Sequence, residues 1–130
     1  MTKVVYLASA IDQGTDTHKD WARASLLRVS CAVFDPSGGW RVPRDTEPSP
    51  ALQRANLALL EECDGLLALL TPTVLTIGVI LEIQHARLHG IPTAIYAPEL
   101  KPSWTLAYLG LETHSNMDHA IDSLTKEMTQ

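Results

Sequence analysis

Glu82 interrupts an apolar run, Gly78-Val79-Ile80-Leu81-Glu82-Ile83, that follows a buried-looking strand and its loop. A carboxylate one turn into a helix with apolar neighbours is either solvated on the outer face or held in a dry pocket, and in a pocket it is a catalytic group. Thr76 lies six residues before it and Gly78 four before, so a hydroxyl and unpaired backbone N–H groups surround the start of the same helix. That is the make-up of an anion site, although Thr76 equally serves as an N-cap. A phosphate or a sugar hydroxyl fits there, with Glu82 further down the helix facing a sugar carbon.

Other reactive side chains are weaker signals. His85 and His89 stand four apart on one helix face, a spacing that can bind metal, but the glutamate of a His-Glu-x-x-His pattern is missing. They read as a surface pair, and neither metal nor organic cofactor is expected. Arg41 and Arg44 either close over a phosphate or remain solvated charges. Asp12, Asp16 and Asp20 read as a loop and the acidic start of a helix, with Asp12 near enough to the expected crevice for a sugar contact. There is no Gly-x-Gly-x-x-Gly and no P-loop pattern, which removes support for dinucleotide binding and nucleoside-triphosphate hydrolysis.

The elements that must position these groups alternate in type. Lys3 to Ala8 reads as a buried strand and Thr17 to Val29 as a helix turning Trp21, Ala24, Leu26 and Leu27 inward. Cys31 to Phe34 is a short strand. Four prolines (Pro36, Pro43, Pro48 and Pro50) and Gly38-Gly39 make residues 35 to 50 a long, lid-like loop. Ser49-Pro50 opens a helix to about Cys63, closed by Asp64-Gly65, where Asp64 reads as a structural turn residue. Leu66 to Leu70 is the continuous apolar run of a strand covered on both faces. Residues 71 to 77 form the next loop. Gly78 to His89 is a helix ended by Gly90 and Pro92. Pro92 to Tyr96 forms strand four, Ser103 to Leu109 a short helix, Leu111 to His114 a fifth strand, and Met117 to Met128 a final amphipathic helix.

This order predicts one α/β domain over residues 1 to 130, a flavodoxin-like or Rossmann-like five-stranded parallel sheet in the order 2-1-3-4-5 with helices on both faces. Ligands of such sheets bind beyond the carboxyl ends of the strands where the order reverses, here between strands one and three. That crevice is bordered by residues 8 to 12 and 71 to 82, so topology independently brings Glu82 to it.

Composition narrows the partners. Asp plus Glu outnumber Lys plus Arg by 15 to 10 and the basic residues are scattered, so no footprint for a nucleic acid polymer exists. No apolar stretch is long enough to span a bilayer, and the first residues enter a strand pattern directly, without the features of a secretion signal. Cys31 and Cys63 lie in apolar contexts that suit reduced thiols. A cytoplasmic protein acting on a small molecule is expected.

The segments Val5-Tyr6-Leu7-Ala8-Ser9-Ala10-Ile11, Asn56 through Asp64-Gly65, Thr76-Ile77-Gly78-Val79-Ile80-Leu81-Glu82-Ile83 and Gly90-Ile91-Pro92 resemble the nucleoside 2-deoxyribosyltransferase superfamily over most of the chain. That superfamily includes transferases that exchange bases on 2'-deoxyribonucleosides and N-glycosidases that hydrolyse nucleoside 5'-monophosphates. The resemblance implies that Glu82 is the nucleophile that attacks the anomeric carbon and that Tyr6 orients it through its hydroxyl. It implies that Ser9 and Ala10 line the base and sugar pocket and that Gly78 stands at the ligand-facing start of the helix.

Asn56 falls where relatives place an aspartate that assists departure of the base, and asparagine cannot donate a proton as an acid. Thr76 occupies a position where the transferases carry an aspartate and the monophosphate hydrolases a small hydroxyl residue; a threonine accepts a phosphate that a carboxylate would repel. The resemblance also implies a homodimer or higher homo-oligomer with shared active sites, with Thr105 reaching the partner's ligand; Trp104 and Tyr108 on the same segment either suit an apolar interface or cap the monomer's own core. Three readings follow: a glycosyl-transferring or glycosyl-hydrolysing enzyme acting through Glu82, a flavodoxin-type electron carrier, and a non-catalytic nucleotide sensor permitted by Asn56. The second is disfavoured because Ser9, Thr15 and Thr17 are too dispersed for a flavin phosphate loop.

Overall fold

The computed structural model describes residues 2–9, 16–36, 50–70, 77–98 and 112–130. Its strands are β1 (Lys3–Ala8), β2 (Cys31–Phe34), β3 (Gly65–Leu69), β4 (Thr93–Tyr96) and β5 (Thr113–His114). The helices are α1 (Asp16–Arg28), α2 (Pro50–Glu61), α3 (Ile77–Leu88) and α4 (Met117–Met128). All strand pairs are parallel, in the order β2-β1-β3-β4-β5. The 2-1-3-4-5 sheet read from the alternation of patterns is the one observed. The fifth strand is shorter than expected, and Leu111 and the predicted helix over residues 103 to 109 lie outside the described residues.

The sheet divides two apolar layers. Val5, Leu7, Leu67, Leu69, Ala94 and Tyr96 face one way and pack with Ala22 and Leu26 of α1 and with Met117, Ala120, Ile121 and Leu124 of α4. Tyr6, Ala8, Leu66, Ala68 and Ile95 face the other way and pack with Leu60 of α2 and with Val79, Ile83 and Ala86 of α3. All five residues of β3 are buried, as a central parallel strand requires. At Gly65 α4 comes close: a Cβ would lie 2.6 Å from Met128 Sδ, so a larger residue would need the Met128 side chain to shift. Asp64 locks the start of β3 to β1, its carboxylate accepting from Val4 N at 2.8 Å while its own N–H donates to Val4 O at 2.8 Å. The structural role read for Asp64 holds.

One helix face differs from the reading of the sequence. Of the residues expected to point inward from α1, only Leu26 is buried; Ala24 is exposed, Leu27 is 64% exposed and Trp21 41%. The buried face carries Lys19, Ala22, Ser25 and Leu26 instead. The cause is Asp35, just past β2, which pairs with Lys19 at 3.7 Å and with Arg23. Those ion pairs rotate a polar stripe of α1 towards the sheet edge and leave Trp21 to lay its ring edge on Tyr96, 6.0 Å between centroids. Cys31 and Cys63 are free thiols, as expected.

Candidate active site

β1 and β3 are adjacent, and Ala8 and Ala68 are register partners on the face that α3 covers. These small side chains let the first turns of α3 settle close to the sheet near its carboxyl edge. Val79 and Ile83 anchor the helix there, and their spacing carries Glu82 inward with them. Glu82 is 8% exposed, one of three polar or charged residues buried among those described, and it belongs to the same layer as Tyr6, which is wholly buried. Glu82 is therefore buried and not solvated on the outer face of the helix.

The electrostatics of the pair follow from that burial. Withdrawal from water pushes the Glu82 carboxyl up to about 7, and a hydrogen-bonding influence of the Tyr6 hydroxyl only partly lowers it. The Tyr6 phenol is raised far above its ordinary range, first by burial and then by the nearby carboxylate. The hydroxyl and the carboxyl thus lie close enough to act on one another. Neither Tyr6 Oη nor Glu82 Oε2 has a hydrogen bond of ordinary geometry among the described residues. A buried carboxyl oxygen left in this state costs free energy unless a ligand or water satisfies it.

Other polar atoms share this condition. Ser9, one residue past β1 at the carboxyl edge, buries an Oγ with no partner, and Gln53 does the same with Nε2. Gln53 was not foreseen. It stands in the first turn of α2, three residues before Asn56 and seven before buried Leu60, so the helical spacing that faces Leu60 inward also brings both amides inward. Helices α2 and α3 run in the same direction, and Glu61 of α2 meets His85 and His89 of α3. At a rise of about 1.5 Å per residue, Asn56 and Gln53 are roughly 7 and 12 Å up α2 from that contact, flanking the stretch of α3 that carries Glu82. Asn56 is half-buried and engaged with neighbouring groups. A buried ring nitrogen, His18 Nδ1, also lacks a partner; its ring lies 5.4 Å from that of Tyr96 on the opposite layer.

Gly78 is exposed in the first turn of α3, and a Cβ there would meet nothing within 4 Å among the described residues. Ala10, Asp12, Arg41, Arg44, Thr76, Trp104, Thr105 and Tyr108 lie outside the described residues. A groove of about 680 Å³ opens elsewhere, lined by Arg87, Thr93, His114 and Glu127 among others, and none of the orphaned buried atoms borders it. Volume alone does not mark the site; unsatisfied buried chemistry does.

No family model matches the sequence, and no curated protein is similar to it in sequence. Solved structures are similar in fold. The chain superposes on a 2-deoxyribosyltransferase of Bacillus psychrosaccharolyticus with a TM-score of 0.72 at 16% identity, covering 89% of this chain and 88% of that one. A conserved protein of Enterococcus faecalis gives a TM-score of 0.74 at 13% identity, over 97% and 99% of the two chains. The CMP N-glycosidase of Clostridium botulinum gives 0.65 at 15% identity, over 95% and 99%. The fold is the one that these proteins share. Among the described residues, no helix is long and apolar enough to cross a membrane.

Proposed function

We propose that the protein cleaves the N-glycosidic bond of nucleosides, 2'-deoxynucleosides or their 5'-monophosphates, with Glu82 as the nucleophile. The observation that carries this reading is a carboxyl 8% exposed, pushed up by its withdrawal from water, beside a wholly buried tyrosine hydroxyl. Its place at the carboxyl edge of the sheet supports it, as does a fold shared with a deoxyribosyltransferase and a CMP N-glycosidase.

In the first step a Glu82 oxygen bonds to C1' as the C1'–N bond breaks, and the base departs with the bonding electron pair and takes up a proton. In the second, water attacks C1', the C1'–O bond to Glu82 breaks, and the free sugar leaves. A second base in place of water gives exchange instead. Burial favours this chemistry. The ionised carboxylate is destabilised in the free protein, and the positive charge that develops on the sugar offsets that cost in the transition state. Tyr6 orients the attacking oxygen and keeps its pKa from rising further. Gln53, Asn56 and Ser9 supply neutral polar contacts to the sugar or base, with Ala10, Asp12 and Gly78 bordering the same crevice.

A threonine at position 76 favours nucleotides over free nucleosides, because a carboxylate there would repel a phosphate. Leu81 and Leu88, seven residues apart on α3, are 50% and 72% exposed, which supports a homo-oligomeric interface on that helix, with Thr105 of a second copy completing the site.

The test is incubation with a panel of nucleosides and monophosphates, with free base read by chromatography. Release of base that Glu82→Gln abolishes is expected, and a second base included in the same reaction separates exchange from hydrolysis. Ligand binding without turnover by the parent protein would replace the enzyme reading with that of a nucleotide sensor.

A further inference from the structure

Far down the groove between α2 and α3, a cluster forms that the proposed reaction does not use. Glu61, His85 and His89 each present a ligand atom, all within 4.8 Å of one another. The sequence shows the two histidines; only the packing of α2 on α3 adds the carboxylate. We infer that these three residues bind a divalent transition cation of the zinc class, clamping the distal ends of the two helices.

The hydrogen bonding of the rings points to a cation. His89 Nδ1 lies 2.9 Å from the backbone oxygen of His85, and a carbonyl only accepts, so Nδ1 carries the proton. Nε2 of the same ring then faces Glu61 Oε1 at 2.9 Å. In a neutral ring that nitrogen offers a lone pair to a carboxylate, which is repulsive unless a second ring proton or a metal ion sits between them. His85 Nε2 is buried, lacks a hydrogen bond, and lies 3.8 Å from Glu61 Oε2. The two imidazoles stack at 4.1 Å between centroids, so both nitrogens converge on one carboxylate.

A metal ion satisfies all three groups together, and the bond from His89 Nδ1 to a main-chain carbonyl is the outer contact that fixes a ring for ligation through Nε2. Tetrahedral zinc with bonds of about 2.0–2.2 Å needs ligand atoms roughly 3.4 Å apart, so the 2.9 Å His89–Glu61 contact must open while the wider separations close, adjustments within reach of side-chain rotation. Two nitrogens and one oxygen select a zinc-like ion over calcium or magnesium. Glu61 and His89 are each 42% exposed, which gives the ion an entry path and leaves its fourth position to water.

The experiment uses the full chain without a histidine tag, stripped with chelator and returned to metal-free buffer. Calorimetric titration with zinc should find one ion per chain at micromolar affinity, and cobalt should give the intense visible absorption of a tetrahedral site. His85→Ala and His89→Ala should each weaken zinc binding at least tenfold, and Glu61→Gln, which keeps the side-chain shape, should weaken it too. At a hundredfold excess over Kd, zinc should raise Tm by on the order of 10 °C in the parent and not in His85→Ala. Zinc affinity no tighter than millimolar, or unchanged in both folded histidine variants, would overturn the assignment and leave a histidine–carboxylate ion pair.

Discussion

The two sides of the sheet treat a withdrawn carboxylate differently. On the α1 side Asp35, its side chain 10% exposed, meets Lys19 and Arg23, which also neutralise it. On the α3 side Glu82 is as deeply withdrawn but meets a neutral phenol. The first acid is stabilised in its charged form and holds a helix to a strand end. The second is held at a cost and keeps a free oxygen. Burial alone therefore does not distinguish structure from chemistry; burial without a compensating charge does.

The sharpest way to break this contrast is to remove each acid. Glu82→Gln should lower base release by at least about a thousandfold, since the amide cannot form the glycosyl bond. A residual rate within tenfold of the parent, measured by chromatography, would return Glu82 to an ordinary buried acid. A 2-fluorinated sugar substrate, which slows the second step, should leave one sugar on Glu82 in the intact-protein mass.

Asp35→Ala should destabilise the fold by about 3 kcal/mol in denaturant unfolding, because it removes the withdrawn carboxylate that pairs with buried Lys19 and with Arg23. Glu82→Gln should do the opposite. A carboxyl raised to about 7 in the folded protein, from an ordinary value of 4.5, favours folding fully below pH 4.5 and loses that contribution as pH rises through 7. The glutamine variant should thus be more stable than the parent at pH 8, by on the order of 3 kcal/mol, with the difference gone near pH 4. Equal stability at both pH values would mean that Glu82 is solvated.

Tyr6→Phe should cost roughly tenfold in turnover by loosening the attacking oxygen. It should also move a rate limb. In the parent, activity should rise with pH through about 7 as Glu82 ionises. Removing the hydroxyl that lowers the carboxyl's pKa shifts the limb to higher pH, a displacement that a purely packing role for Tyr6 would not produce.

Much of this molecule is legible in the order of its residues. Strands covered on both faces must be continuous apolar runs, and the helices are bounded by Pro50, Gly90 and Pro92, so their alternation and right-handed crossovers leave one simple sheet. Glu82 was visible because a charge in an apolar helix has few explanations, and Tyr6 because the resemblance named it. The inward face of α1 was misread because hydrophobicity says nothing about a partner sixteen residues away: Lys19 is buried where Asp35 receives it.

Gln53 and Glu61 carry no local sign of what they do. For Glu61 the partners come from α3, which lies far along the chain, and distance in sequence hides a shared groove. Local pattern settles which segments are strand or helix and which residue is out of place, since both depend on neighbours within a few positions. The neighbours of a buried polar atom depend on which elements meet, so the company that Glu82 and the paired histidines keep was decided by the packed fold alone.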